Sequence, residues 1–106
     1  MKILVLAALA AVLVSPAFAD GPIAVTLKDH RFSPSTITVK ANTPTVLSIT
    51  NEDASAEEFD STSLKVEKVI TGNSRGDVHL RPLAPGKYPF MGEYHSDTAQ
   101  GVVIAQ

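Results

Sequence analysis

From Ile23 onward the chain alternates apolar and polar side chains with a period of two, in short runs separated by turn-forming residues. That period marks a strand with one buried face. Ile23, Val25 and Leu27 alternate with Ala24, Thr26 and Lys28. Ile37 and Val39 share a face, as do Leu47 and Ile49, Val78 and Leu80, and Tyr88 and Phe90. Less regular strands are expected near 57–61 and 66–70, and an apolar one over 102–105. Segments 30–35, 41–44, 51–56, 71–76, 82–86 and 92–101 read as connections. No segment after residue 20 keeps a helical period. About seven or eight strands, with turn signals roughly every ten residues, predict an all-β sandwich or barrel.

The N-terminus is different. Lys2 is followed by an unbroken apolar run from Ile3 to Val14, then by Ser15-Pro16 and the small-x-small triplet Ala17-Phe18-Ala19. This reads as a secretory signal peptide over residues 1–19. The run is too short for a membrane-spanning helix, and nothing basic follows it. Residues 20–106 then form one small exported domain.

Removing Lys2 with the leader leaves 8 basic residues against 11 acidic ones and moves the net charge from −2 to −3. A nucleic-acid binder would carry a basic face, and this chain has none. The chain has no Cys. That removes disulfides, thiolate metal sites, iron–sulfur clusters and cysteine nucleophiles together. The core has to hold by packing alone. There is no G-x-S-x-G elbow, no phosphate-binding G-x-x-x-x-G-K-[ST], and no H-x-H or H-E-x-x-H pattern.

Two segments concentrate metal-ligand chemistry. One is Glu57-Glu58-Phe59-Asp60; the other runs from Met91 to Asp97 and contains Glu93 and His95. Met91 is the only sulfur left once the leader is gone. A lone Met is ordinarily core filler, and a lone exposed His is ordinarily solvated. A thioether and an imidazole in one loop, however, suit copper. Adjacent strand residues point to opposite faces, so only one of Glu57 and Glu58 shares a face with Phe59. The alternative for this acidic segment is a charged edge strand that resists aggregation. His30 and His79 are read as surface residues.

Several longer stretches carry a resemblance. They are Phe32-Ser33-Pro34, Ile37-Thr38-Val39-Lys40-Ala41, Asn51 closing a strand, and Glu57-Glu58-Phe59-Asp60-Ser61. Glu67-Lys68-Val69-Ile70 with Gly72, Pro82 to Phe90, His95, and Asp97 to Val103 follow. Together they resemble the small periplasmic cupredoxin-like proteins encoded with high-affinity iron permeases, the FtrB type. They are similar also to the N-terminal cupredoxin domain of EfeO. The resemblance implies a Greek-key β-sandwich with a metal site at one end. In blue copper relatives one His follows the Asn-containing loop, and a Cys, a His and a Met come from the last loop. Here Glu57 or Glu58 stands in the region of the first His, Met91 about where the Cys would be, and His95 as the second imidazole.

The expected site is therefore Glu58, Glu67, Met91 and His95, with Glu57 and Glu93 as alternates, holding a copper or iron ion. Without thiolate it is not intensely blue, and it tolerates Cu(II) and iron as well as Cu(I). The resemblance implies a periplasmic accessory protein that assists iron uptake for an iron permease or other inner-membrane transport component. Two versions stand open: binding or electron transfer, and copper-dependent oxidation of Fe(II) with an outside acceptor. The alternative from another class is a metal-free β-sandwich interaction module that docks a periplasmic or membrane partner through an acidic edge at Glu57–Asp60.

Overall fold

The computed structural model describes residues 21–106; the expected leader lies outside them. Nine strands follow in order: β1 (Ile23–Lys28), β2 (Arg31–Ser33), β3 (Thr36–Val39), β4 (Thr45–Asn51), β5 (Glu57–Ser61), β6 (Val66–Ile70), β7 (Ser74–Leu80), β8 (Gly86–Gly92) and β9 (Gln100–Ala105). A single 3-10 turn, Glu93–His95, is the helical structure among the described residues.

The strands form two sheets, ordered β2-β1-β4-β7 and β3-β9-β8-β5-β6. β1 runs parallel to β4 and β3 parallel to β9, while the other pairs are antiparallel. This is the expected all-β sandwich. Its inner faces carry the alternating residues read from the sequence, among them Val25, Leu27, Ile37, Val39, Leu47, Ile49, Val78, Leu80 and Val103. Each such fully buried aliphatic side chain contributes about 1.5–3 kcal/mol relative to exposure. Phe32, Phe59 and Phe90 meet in the core, with Phe59 and Phe90 stacked at 4.7 Å and Phe32 edge-on to both.

Three local readings differ from the structure. Residues 31–33, expected as a connection, form β2, which folds back on β1 with Lys28 opposite Arg31. The reversal passes through Asp29 and His30, with φ of 53° and 58°. Two successive left-handed residues are the geometry of a tight hairpin turn. β7 begins at Ser74, inside the expected turn, because it pairs with β4 along the whole of that strand. The last connection is shortened by the 3-10 turn and by β9 starting at Gln100. Elsewhere the turn chemistry is as expected: in the Pro85-Gly86 hairpin the Tyr88 hydroxyl donates to the Ala84 carbonyl at 2.7 Å.

β5 lies between β8 and β6, so the acidic segment is an interior strand and β6 forms the sheet edge. The edge reading of Glu57–Asp60 is thereby corrected. Its alternating charges look like an edge pattern, but pairing with β8 places them inside the sheet.

Candidate metal centre

The site is built at one end of the sandwich, where β5 starts and the 3-10 turn leaves β8. Glu57 shares the inner face of β5 with Phe59 and Ser61, and only 2% of it is exposed. A buried carboxylate costs several kcal/mol unless its oxygens are satisfied. Here three donors meet it. Oε1 accepts the backbone N–H of Glu58 at 3.0 Å and of Tyr94 at 2.8 Å. Oε2 lies 2.6 Å from Nδ1 of His95. An ionised carboxylate can only accept, so Nδ1 of His95 carries a proton and donates, which leaves Nε2 as the ring nitrogen open to a further partner.

Glycine makes this approach feasible. Gly92 pairs with Phe59 and so faces inward. A Cβ there would fall 2.6 Å from the Glu57 Cδ and 2.8 Å from the Ala99 Cβ. The Glu57 carboxyl therefore occupies the space that any side chain at position 92 would need.

Asn51 sets the other wall. Its buried amide donates to the carbonyls of Ser55 (2.9 Å) and Ile70 (3.2 Å), and its oxygen accepts the N–H of Asp53 (3.0 Å). The loop after β4 is thus held in place. The Asp53 carboxylate then accepts the backbone N–H groups of Asp29 (2.8 Å) and His30 (2.9 Å). The His30 N–H bond above all, then that of Asp29 and attraction to the His30 and His95 side chains, hold Asp53 below its ordinary pKa against the opposing effect of burial. The anchored turn lays His30 on His95, ring centroids 3.5 Å apart and planes within 9°.

The expected residues separate into two groups. His95 and Glu57 come together at the inner rim. Glu58, Asp60, Glu67 and Met91 share the outer face of the five-stranded sheet, where Asp60 pairs with both Glu67 and Met91. Met91 is 40% exposed there and lines an open groove of about 330 Å³ with Asp60, Ser61 and Pro89. Glu93 is fully exposed and close to the same outer carboxylates. A hydrogen bond and repulsion from Asp60, then repulsion from Glu58, raise its pKa above the ordinary value. The residue that β8 turns toward Glu57 and His95 is Gly92, one position beyond Met91, and one position in a strand reverses the face.

His30, read as a surface residue, is half-buried against His95. The available sequence signal was weak: an Asp-His pair between two alternating runs. His79 is exposed, as expected.

These donors do not fit a thiolate copper centre, because the chain has no Cys and the inward position is a glycine crowded by Glu57. Among the described residues no three His, Asp or Glu side chains are grouped, as placed, around one point. Two imidazoles beside buried and rim carboxylates do fit an ion that prefers nitrogen and oxygen donors.

The chain belongs to the Cupredoxin-like domain family, whose profile matches residues 2–105. An uncharacterized protein of Rickettsia prowazekii (strain Madrid E) is 42% identical over 80 residues, covering 76% of this chain; the chain spans 64% of that relative's length. Among solved structures, auracyanin A, a "blue" copper protein from Chloroflexus aurantiacus, superposes with a TM-score of 0.68 at 15% identity, covering 80% of this chain and 98% of its own. The metal-binding domain of the Streptococcus pneumoniae Cu(I)-exporting P-type ATPase, with Cu(I), gives 0.68 at 11% identity, covering 80% and 84%. At these identities the likeness is one of fold.

Proposed function

We propose that this is an exported metal-binding protein that takes up copper at the Glu57–His95 rim and serves as an accessory to iron acquisition. One observation carries the metal reading. A buried carboxylate is hydrogen-bonded to a rim imidazole at 2.6 Å, at the end of a fold whose structural neighbours include proteins described as copper-binding. When bound, the ion would supply Lewis-acid or one-electron chemistry. The chain supplies the imidazole of His95 as principal donor, with Glu57 keeping it oriented and screened from water on the core side.

Without thiolate covalency the site suits binding and release more than rapid electron transfer. The iron-uptake role, the periplasmic location and an inner-membrane permease as partner rest on the resemblance to iron-permease-associated cupredoxins. Calorimetry of the purified protein with Cu(II) is expected to show 1:1 binding that His95→Ala abolishes. Absence of heat with Cu(II), Fe(II) and Fe(III) would overturn the reading.

A further inference from the structure

His30 is held on His95 against backbone strain. Asp29 and His30 both adopt left-handed φ, 53° and 58°. For a residue with a side chain that region costs about 1–2 kcal/mol, and an Asn-Gly pair would fill the same turn with less strain. The Asp53 carboxylate accepts both turn N–H groups and fixes the conformation. The result is a parallel stack at 3.5 Å, whereas ring packing alone favours offset or edge-on contacts. The Asp53 carboxylate is bonded to the His30 backbone and the Glu57 carboxylate to the His95 ring. Two carboxylates and two imidazoles at one rim are a donor set of oxygen and nitrogen.

We propose that His30 and His95 are the two imidazole donors of a single cation site at this rim, and that Glu57 is a positioning residue that holds His95 through Nδ1. The proposal rests on the metal-binding reading above and goes further in naming the second donor. With Nδ1 bonded to Glu57, His95 offers Nε2. A metal-bound imidazole commonly gives its other N–H to a carboxylate in this way. Ring lone pairs lie in the ring plane, so two parallel rings do not aim at one ion between them. One ring turns about its side-chain bonds and the stack opens on binding. The ion class is a late first-row divalent ion with a preference for nitrogen; Cu(II) heads that affinity order. The Met91 thioether, on the outer face, takes no part.

The test is Cu(II) at one equivalent, read by the nitrogen splitting in electron paramagnetic resonance and by calorimetry. The native protein is expected to show two nitrogen donors. His30→Phe keeps a ring to stack but no donor, and His30→Asn suits the left-handed turn. Both are expected to show one nitrogen and an affinity lower by roughly 100-fold. Glu57→Gln is expected to weaken Cu(II) binding by moving the His95 proton onto Nε2, seen in the 15N shifts of the metal-free protein. If the native protein binds Cu(II) through one nitrogen and both His30 variants bind equally well, the His30 proposal is overturned and the metal reading stands. If the native protein takes up no Cu(II), both fall.

Discussion

Glu57 and His95 lie 38 positions apart and meet at 2.6 Å, the carboxylate buried and the imidazole 28% exposed. The contact joins the start of an inner strand to the 3-10 turn that follows its neighbour. It determines which ring nitrogen of His95 is left for chemistry.

Replacing Glu57 by Gln keeps an oxygen for the N–H groups of Glu58 and Tyr94 but presents an amide N–H to His95. The ring is then expected to accept at Nδ1 and carry its proton on Nε2. Stability should change by about 1–3 kcal/mol, while Cu(II) affinity falls roughly 10–100-fold. Urea denaturation beside calorimetry separates the two effects.

Gly92→Ala forces a methyl group against Glu57 and Ala99. Overpacking of this kind is expected to cost about 1–3 kcal/mol. Combining it with Glu57→Ala, which empties the opposing space, should cost less than the sum of the two changes. Strict additivity in that double-mutant cycle would refute the proposed crowding.

Asn51→Ala removes the amide that holds the loop before β5 and leaves the Ile70 carbonyl without its Asn51 donor. A loss of about 2–3 kcal/mol is expected. The stack of His30 on His95 should loosen as well, because Asp53 is no longer anchored. The His30 ring proton shifts report this directly, and unchanged shifts would count against the linkage.

Acid stability should depend on Asp53 and Glu93 with opposite signs. Asp53 has a lowered folded pKa. Its contribution is therefore present above the ordinary value and is lost as pH falls through the folded one. Asp53→Asn should flatten the drop in Tm below about pH 4. Glu93 has a raised folded pKa. The folded state holds its proton more tightly, so stability declines as pH rises through that value. Glu93→Gln should raise Tm at pH 7 and have no effect at pH 3.

Much of the frame was legible because strand alternation is local. Period two places Phe59 and Phe90 on inner faces, and their neighbours two positions away go with them. That same alternation selects Glu57 over Glu58 and Gly92 over Met91. Preferring Glu58 and Met91 on ligand chemistry overlooked a signal already present in the two phenylalanines. Asn51 was recognised as closing a strand, but its bonds to Ser55 and Ile70 depend on how the following loop folds back.

His30 shows where local reasoning stops. Alternation says which face of a strand a residue takes; it does not say which turns from distant strands share one end of a sandwich. β1 beside β4, and β5 beside β8, bring residues 30, 53, 57 and 95 to a common rim. Those pairings are long-range, and they follow from burying both sheet faces at once. The absent cysteine excluded a thiolate centre from the outset. Only the packed sandwich put a carboxylate in the space beside Gly92 and laid a second imidazole on His95.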